Sequence, residues 1–326
     1  MLFDRFSRRD SMGLGAVGAA LMLGAAGSPS RASTVPAKPV VRHRTVRVGE
    51  LDIFYREAGR PDAPALLLLH GFPSSSHMFR NLIPTLADRF RLIAPDYPGF
   101  GFSQFPPQDS FAYGFEAYAD LIADFLDVLN VNRFGLYIQD YGAPVGLRLA
   151  LKRPDAVTFL IVQNGNAYEE GLSPGWAPLK AYWREPTAVN RDKLRGWLGA
   201  DGTRLQYVAG LHPDQIELVS PELWSLDWAL LQRPGNQDLQ LDLFGDYGSN
   251  VALYPEIQKW FRLKQLPTLI AWGKNDPFFT EAGAKAYLRD LPNAELHLLD
   301  GSHFLLETHC AEVAALIRQF ADRNRL

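Results

Sequence analysis

The sequence has almost no cysteine and no marked excess of either charge. With Cys310 as its single cysteine, the chain cannot form an internal disulfide or a zinc site built on paired thiolates. A formal net charge of −3 over 326 residues indicates neither a nucleic-acid-binding stripe nor a polybasic membrane anchor. At 47% hydrophobic residues, the chain can bury one large core and has room for an inserted subdomain.

The first 32 residues have the layout of an export signal. Three arginines precede residue 10, and the apolar run over 12–26 is too short and too weak for a stable membrane-spanning helix. The Ser-Arg-Arg-Asp stretch at 7–10 resembles the twin-arginine export signal, although an ordinary secretory signal or a disordered basic tail has a similar composition. We therefore predict a signal peptide over residues 1–32, recognised by the twin-arginine export machinery. The mature protein is expected to be periplasmic or secreted.

Short apolar runs alternate with helical periods along much of the chain. After a predicted hairpin over 44–57, continuous apolar runs over 65–69, 90–95, 134–139 and 157–162 are typical of strands buried on both faces of a parallel sheet. Between them, apolar residues from 118 to 129 recur at spacings of three and four, as in a helix. Strand character returns at 267–272 and 294–299, before a final helix over 305–324. The pattern predicts an α/β fold with a mostly parallel, doubly wound sheet.

Residues 164–262 interrupt this alternation. They contain six of the seven tryptophans and have helical stretches, but no convincing strand pattern. We predict that this segment is a helical cap, inserted between the two parts of the core at 44–163 and 263–326.

The segment around Asp140 has the pattern of a nucleophile elbow. An apolar strand ends at Gln139, and Gly142 and Ala143 then open a helix. Such an elbow needs small neighbours, because its turn is strained and its central side chain is pushed out above the sheet. Ile138 stands where the usual pattern has a second glycine. Taken alone, Asp140 fits equally well as the N-cap of a helix.

Three other segments lie in the order that an elbow requires. A His-Gly-Phe-Pro loop over 70–73 follows a predicted strand, so the backbone N–H groups of Phe72 and Tyr141 are candidate oxyanion donors. Asp276 and His303 each follow a late strand, which gives the chain order of nucleophile, acid and histidine. The Asp-Tyr-Pro-Gly-Phe-Gly run at 96–101 is predicted to be a structural turn.

On these motifs, the chain from about residue 44 onward resembles the α/β-hydrolase superfamily. Within it, the chain is similar to the aspartate-nucleophile branch of epoxide hydrolases and haloalkane dehalogenases. The resemblance implies that Asp140 is the nucleophile, that His303 is the base and that Asp276 orients it, with no metal and no cofactor. A carboxylate nucleophile suits attack on a saturated carbon, which leaves an alkyl ester for His303 and water to hydrolyse.

The leaving group is less well defined by the sequence. Haloalkane dehalogenases typically have a tryptophan after the nucleophile and a second side-chain donor after His-Gly. Here Tyr141 and Phe72 stand at these places, and Gln139 alone looks dehalogenase-like. Fluoroacetate dehalogenases share the His-Gly-Phe-Pro loop but have an arginine at the position of Tyr141.

Epoxide hydrolases protonate the leaving oxygen with cap tyrosines. Tyr182, with Tyr247 or Tyr254, lies at suitable distances along the chain, although the sequence around Tyr247 departs from the usual family pattern. The resemblance therefore favours epoxide hydrolysis of a small apolar substrate. Haloalkane dehalogenation, then esterase or lactonase activity, then a binding protein without catalysis are the alternatives.

Overall fold

The computed structural model describes residues 39–326, which form one eight-stranded sheet covered by helices. The predicted signal peptide lies outside the described residues. The strands are β1 (Arg42–Val48), β2 (Leu51–Ala58), β3 (Ala65–Leu69), β4 (Arg91–Pro95), β5 (Phe134–Gln139), β6 (Val157–Gln163), β7 (Thr268–Gly273) and β8 (Glu295–Leu299).

The sheet has the strand order β1-β2-β4-β3-β5-β6-β7-β8. The pairs β1–β2 and β2–β4 are antiparallel, and all later neighbours are parallel. The antiparallel start is the predicted hairpin, and the parallel part is built from the continuous apolar runs. The predicted fold class is confirmed.

Helices lie between and after these strands. They are α1 (Ile83–Leu86), α2 (Phe115–Val128), α3 (Gly142–Lys152), α4 (Ala177–Arg184), α5 (Ala188–Asp192), α6 (Ala200–Val208), α7 (Pro213–Ile216), α8 (Pro221–Leu231), α9 (Asn236–Lys264), α10 (Glu281–Ala286) and α11 (Leu306–Asn324). In residues 39–326, no helix is long and apolar enough to cross a membrane, and no group of three His, Cys, Asp or Glu side chains could hold a metal ion.

Between β6 and β7, the chain forms helices α4 to α9, and we call residues 164–267 the helical insertion. It includes the whole segment predicted to be a cap, and α9 continues past the predicted end at residue 262 to Lys264. Prolines begin α7 and α8, where a missing backbone N–H costs nothing because the first turn has no intrahelical acceptor for it.

The centre of the sheet is buried on both faces. Along β5, Leu136 and Ile138 pack into one hydrophobic core, and Tyr137 packs into the other. This alternation is what strand geometry requires when helices cover both sides. The carboxyl end of β5 is therefore held firmly in place, together with the residue that follows it.

The turn after β4 is organised around the buried carboxylate of Asp96. Its two oxygens accept hydrogen bonds from the backbone N–H groups of Ser76, at 2.7 Å, and Phe102, at 2.8 Å. Gly101 has a φ of +48° and no room for a side chain beside this carboxylate. The turn thus connects the loop after β3 to the loop after β4, behind the candidate site.

Replacing Asp96 with alanine should lower the free energy of unfolding by about 3 kcal/mol, because two buried N–H groups lose their charged acceptor. Urea denaturation followed by circular dichroism measures this loss. The matched control is Asp62→Ala, which removes an exposed carboxylate paired with Arg60 and should leave the urea midpoint unchanged. Equal midpoints for Asp96→Ala and the wild type would contradict this account of the turn.

Candidate active site

A strained bend joins β5 to α3 at Asp140. Its φ of +48° lies in the left-handed region, which residues other than glycine rarely occupy. Such a conformation persists only where the surroundings enforce it. Here α3 begins so close to β3 that a side chain on Gly142 would collide with the backbone carbonyl of Leu69. Gly71 is equally constrained, since a side chain there would collide with Asp140.

The carboxylate of Asp140 is almost fully buried. The backbone N–H of Phe72 donates to its Oδ1 at 2.6 Å. Burial raises the pKa of the Asp140 carboxyl, while the charge of His303 and the backbone N–H groups of Phe72 and Tyr141 act in the opposite direction. Both backbone groups predicted to be oxyanion donors are thus close to one carboxylate.

His303 lies between two carboxylates. Its Nδ1 is 2.8 Å from Oδ2 of Asp276, and its Nε2 is 3.8 Å from Oδ2 of Asp140. Burial lowers the pKa of the imidazole, but the charges of Asp276 and then Asp140 outweigh it, so the pKa is raised overall. Because Nδ1 donates to Asp276, the neutral ring has an unprotonated Nε2 directed toward Asp140. This nitrogen can accept a proton.

Asp276 is held by hydrogen bonds on both oxygens. The backbone N–H groups of Phe278 and Phe279 donate to Oδ1, at 2.7 and 3.1 Å, and Asn164 Nδ2 donates to Oδ2 at 2.8 Å. Asn164 was missed from sequence, although a polar residue directly after the buried run of β6 occupies the same place there as Asp140 does after β5. The carboxylate of Asp276 is therefore fixed in orientation.

Gln139, the residue before the bend, also reaches the imidazole. Its Nε2 lies 3.2 Å from Nε2 of His303, close enough to donate to the neutral ring. Its Oε1 is buried and has no hydrogen-bond partner among the described residues. The side chain that looked dehalogenase-like in the sequence therefore contacts the imidazole of His303.

A small cavity of about 30 Å³ opens beside Asp140. Helices of the insertion cover it. Apart from Asp140, Leu179 and Gln206, its lining is aromatic: Phe72, Tyr141, Trp176, Trp197, Phe244, Tyr247 and Phe278. The tryptophans, Phe244 and Gln206 were not identified from sequence, where aromatic residues in the insertion carry no sign of the direction in which they point.

The three candidate tyrosines have different environments. Tyr247 lines the cavity, whereas Tyr182 packs against Gly245 of α9, and the Tyr254 hydroxyl hydrogen-bonds Asn166 Nδ2 at 3.0 Å. Tyr182 and Tyr254 are not among the described residues that line the cavity. The structure thus brings one of the three, Tyr247, to the wall of the Asp140 cavity.

The Tyr247 hydroxyl is buried in an aromatic environment. Burial raises its pKa well above the ordinary value, and the nearby Tyr254 and Asp140 act in the same direction, so the phenol stays protonated at neutral pH. Although Tyr254 is close enough to affect this pKa, the Tyr247 hydroxyl makes no hydrogen bond of good geometry within the described chain. Within residues 39–326 it is therefore a buried donor that no acceptor satisfies with good geometry.

Residues 64–309 match the sequence profile of the alpha/beta hydrolase fold. The chain belongs to the α/β-hydrolase family. An uncharacterised hydrolase of Saccharomyces cerevisiae is 45% identical over 291 residues, which cover 87% of this chain and 98% of the yeast protein. A haloalkane dehalogenase of Psychrobacter cryohalolentis is 29% identical over 286 residues, covering 84% and 89% of the two chains.

Among solved structures, the epoxide hydrolase CorEH superposes with a TM-score of 0.70 and covers 87% of this α/β-hydrolase and 99% of its own chain. Its 18% identity makes this a likeness of fold. The family match confirms the predicted resemblance to the α/β-hydrolase superfamily, and the protein is a hydrolase with sequence similarity to a haloalkane dehalogenase.

The two carboxylates beside His303 predict how its titration responds to mutation. Asp140→Asn should lower the pKa of His303, and Asp276→Asn should lower it further, because an anion nearby favours the imidazolium and Asp276 is the closer one. NMR titration of the imidazole resonances measures both shifts. Asp52→Asn, at an exposed and remote position, is the control. An unchanged titration in Asp140→Asn would show that the ring does not sense that carboxylate.

Proposed function

We propose that this hydrolase opens epoxides through an ester formed on Asp140. The bend carries a carboxylate rather than a hydroxyl, and a carboxylate needs no deprotonation before it attacks a saturated carbon. Oδ1 accepts the Phe72 N–H and Oδ2 is directed toward His303, so Oδ2 is the attacking oxygen and Oδ1 becomes the ester carbonyl.

In the first step, Oδ2 of Asp140 bonds to an epoxide carbon as the C–O bond of the ring breaks. The departing oxygen takes a proton from the hydroxyl of Tyr247. The products of this step are an alkyl ester on Asp140 and a tyrosinate at 247.

In the second step, His303 Nε2 takes a proton from water, and the water oxygen attacks the ester carbonyl. The oxyanion that forms at Oδ1 is stabilised by the backbone N–H groups of Phe72 and Tyr141. His303 returns its proton to the departing diol oxygen. The second water proton, released as Asp140 ionises again, restores the phenol of Tyr247.

The charges of the site support this division of roles. Ester formation removes the charge of Asp140, one of the two anions that raise the pKa of His303. The imidazole is then less basic and more often neutral, which is the form that can accept a proton from water. Asp276 stays charged throughout and stabilises the imidazolium.

The observation that carries the choice of epoxide is the hydroxyl of Tyr247. A leaving alkoxide needs an acid, whereas a halide leaves without a proton. Tyr247 supplies a protonated, buried donor at the cavity wall, and such a group is costly to bury unless a ligand accepts its hydrogen bond.

Haloalkane dehalogenation is the second candidate. The indole of Trp197 also lines the cavity, and an indole N–H can stabilise a departing halide. The dehalogenase of Psychrobacter cryohalolentis among the relatives favours the same reading.

The covalent step is tested by removing the base. His303→Gln treated with 1,2-epoxybutane should accumulate an alkyl-enzyme, seen as a mass increase that peptide mapping assigns to Asp140, because hydrolysis of the ester stalls without the imidazole. Asp140→Asn is the control and should show no adduct. A His303→Gln enzyme that releases diol at the wild-type rate would refute His303 as the base.

The acid is tested by Tyr247→Phe. Hydrolysis of 1,2-epoxybutane should fall at least about 100-fold in kcat, the usual contribution of a general acid, while any turnover of 1-bromobutane should be unaffected. The matched variant is Tyr182→Phe, which changes a tyrosine outside the cavity and should alter neither rate substantially. A wild-type enzyme that prefers 1-bromobutane and is insensitive to Tyr247→Phe would favour dehalogenation instead.

A further inference from the structure

A buried carboxamide reaches the active-site cavity from the insertion. Gln206 on α6 is 6% exposed and lines the same cavity as Asp140. Its side-chain amide makes no hydrogen bond to any group in residues 39–326, and its polar atoms are not among the fully buried ones. An amide that lines a cavity without a protein partner is available to hydrogen-bond a ligand or water.

The position of Gln206 is fixed by its neighbour in sequence. The ring of Tyr207 stacks on Phe304, with centroids 4.0 Å apart and planes at 16°. The Tyr207 hydroxyl also donates to the buried Asp227 of α8. Because Phe304 directly follows His303, the end of α6 is docked on the loop that carries the imidazole. The backbone that carries Gln206 is therefore held beside the cavity before a substrate arrives.

The residues that line the cavity restrict which ligand groups the Gln206 amide can hydrogen-bond. Asp140 is the single charged residue in the described lining, and no basic side chain is there to bind a carboxylate substrate. A carboxamide is neutral and offers both a donor and an acceptor, so it matches a hydroxyl or an ether oxygen. The cavity volume of about 30 Å³ also favours a small molecule.

We infer that Gln206 hydrogen-bonds a neutral oxygen substituent beside the reacting carbon. The hydrolase then prefers small epoxy alcohols and ethers to alkyl epoxides of the same size. This inference rests on the proposed function and narrows the expected small apolar substrate to one with a polar end.

The test compares glycidol with 1,2-epoxybutane, which has a methyl group in place of the hydroxyl. The wild type should prefer glycidol. Gln206→Met, which keeps the volume and removes the hydrogen bonds, should lower kcat/KM for glycidol about tenfold and change that for 1,2-epoxybutane less than about twofold. Gln237→Met, on the surface of the insertion, is the control and should alter neither value.

The other outcomes distinguish a failure of the proposed Gln206 contact from a failure of the proposed epoxide hydrolysis. Equal losses on both epoxides, or no loss on glycidol, would overturn the contact. Gln206→Leu supplies the same comparison if Gln206→Met does not fold. If both epoxides are inert, 3-bromo-1-propanol and 1-bromobutane form the same polar and apolar pair. Turnover of the bromides with the same dependence on Gln206 would then refute epoxide hydrolysis and support the contact, whereas inactivity on all four compounds would overturn both.

Discussion

Asp140 is only 7% exposed, so the free-energy cost of burying its charged carboxylate must be offset by neighbouring groups. The arrangement of the site depends on this requirement. The backbone N–H of Phe72 compensates Oδ1, and the imidazole of His303 lies near Oδ2. The same residue has a left-handed backbone, which β5 and α3 impose because both are packed tightly against β3. Residue 71 must be a glycine in this arrangement. The loop that supplies the Phe72 N–H passes so close to Asp140 that a side chain at position 71 would collide with it.

The two carboxylates beside His303 differ in environment, and this difference separates their roles. Asp276 is held by Phe278, Phe279 and Asn164, so its orientation does not depend on the reaction. Asp140 borders a cavity, which is where the proposed ester would form. In the proposed cycle, the charge at Asp140 disappears and returns while that of Asp276 stays constant. The basicity of His303 therefore falls when the ester forms, which is the stage at which the imidazole must accept a proton from water.

Much of the sheet core could be predicted, because a strand that is buried on both faces consists of a continuous run of apolar residues. The predicted strands at 65–69 and 134–139 coincide with β3 and β5, and the polar residues that follow late strands led to Asp140, Asp276 and His303. In the insertion, the sequence predicted Tyr182 with either Tyr247 or Tyr254, and the packing of α4 on α9 decides which of them reaches the cavity. Gln206 belongs to no motif and could not be found without that packing.

The sheet core and the insertion differ in predictability for a physical reason, and that reason also bears on substrate specificity. Strand ends in a parallel sheet meet at one edge whatever the loops contain, so the topology brings Asp140, Asp276 and His303 together. The insertion packs on this edge through aromatic side chains, which fill space in many orientations and impose little directional constraint on a ligand. Such a lining has few polar groups, and each of them can form a directional hydrogen bond that orients a ligand. Tyr247, Gln206 and the indole of Trp197 are polar groups that the insertion contributes to the described lining, and under the proposed function the choice of substrate depends on them.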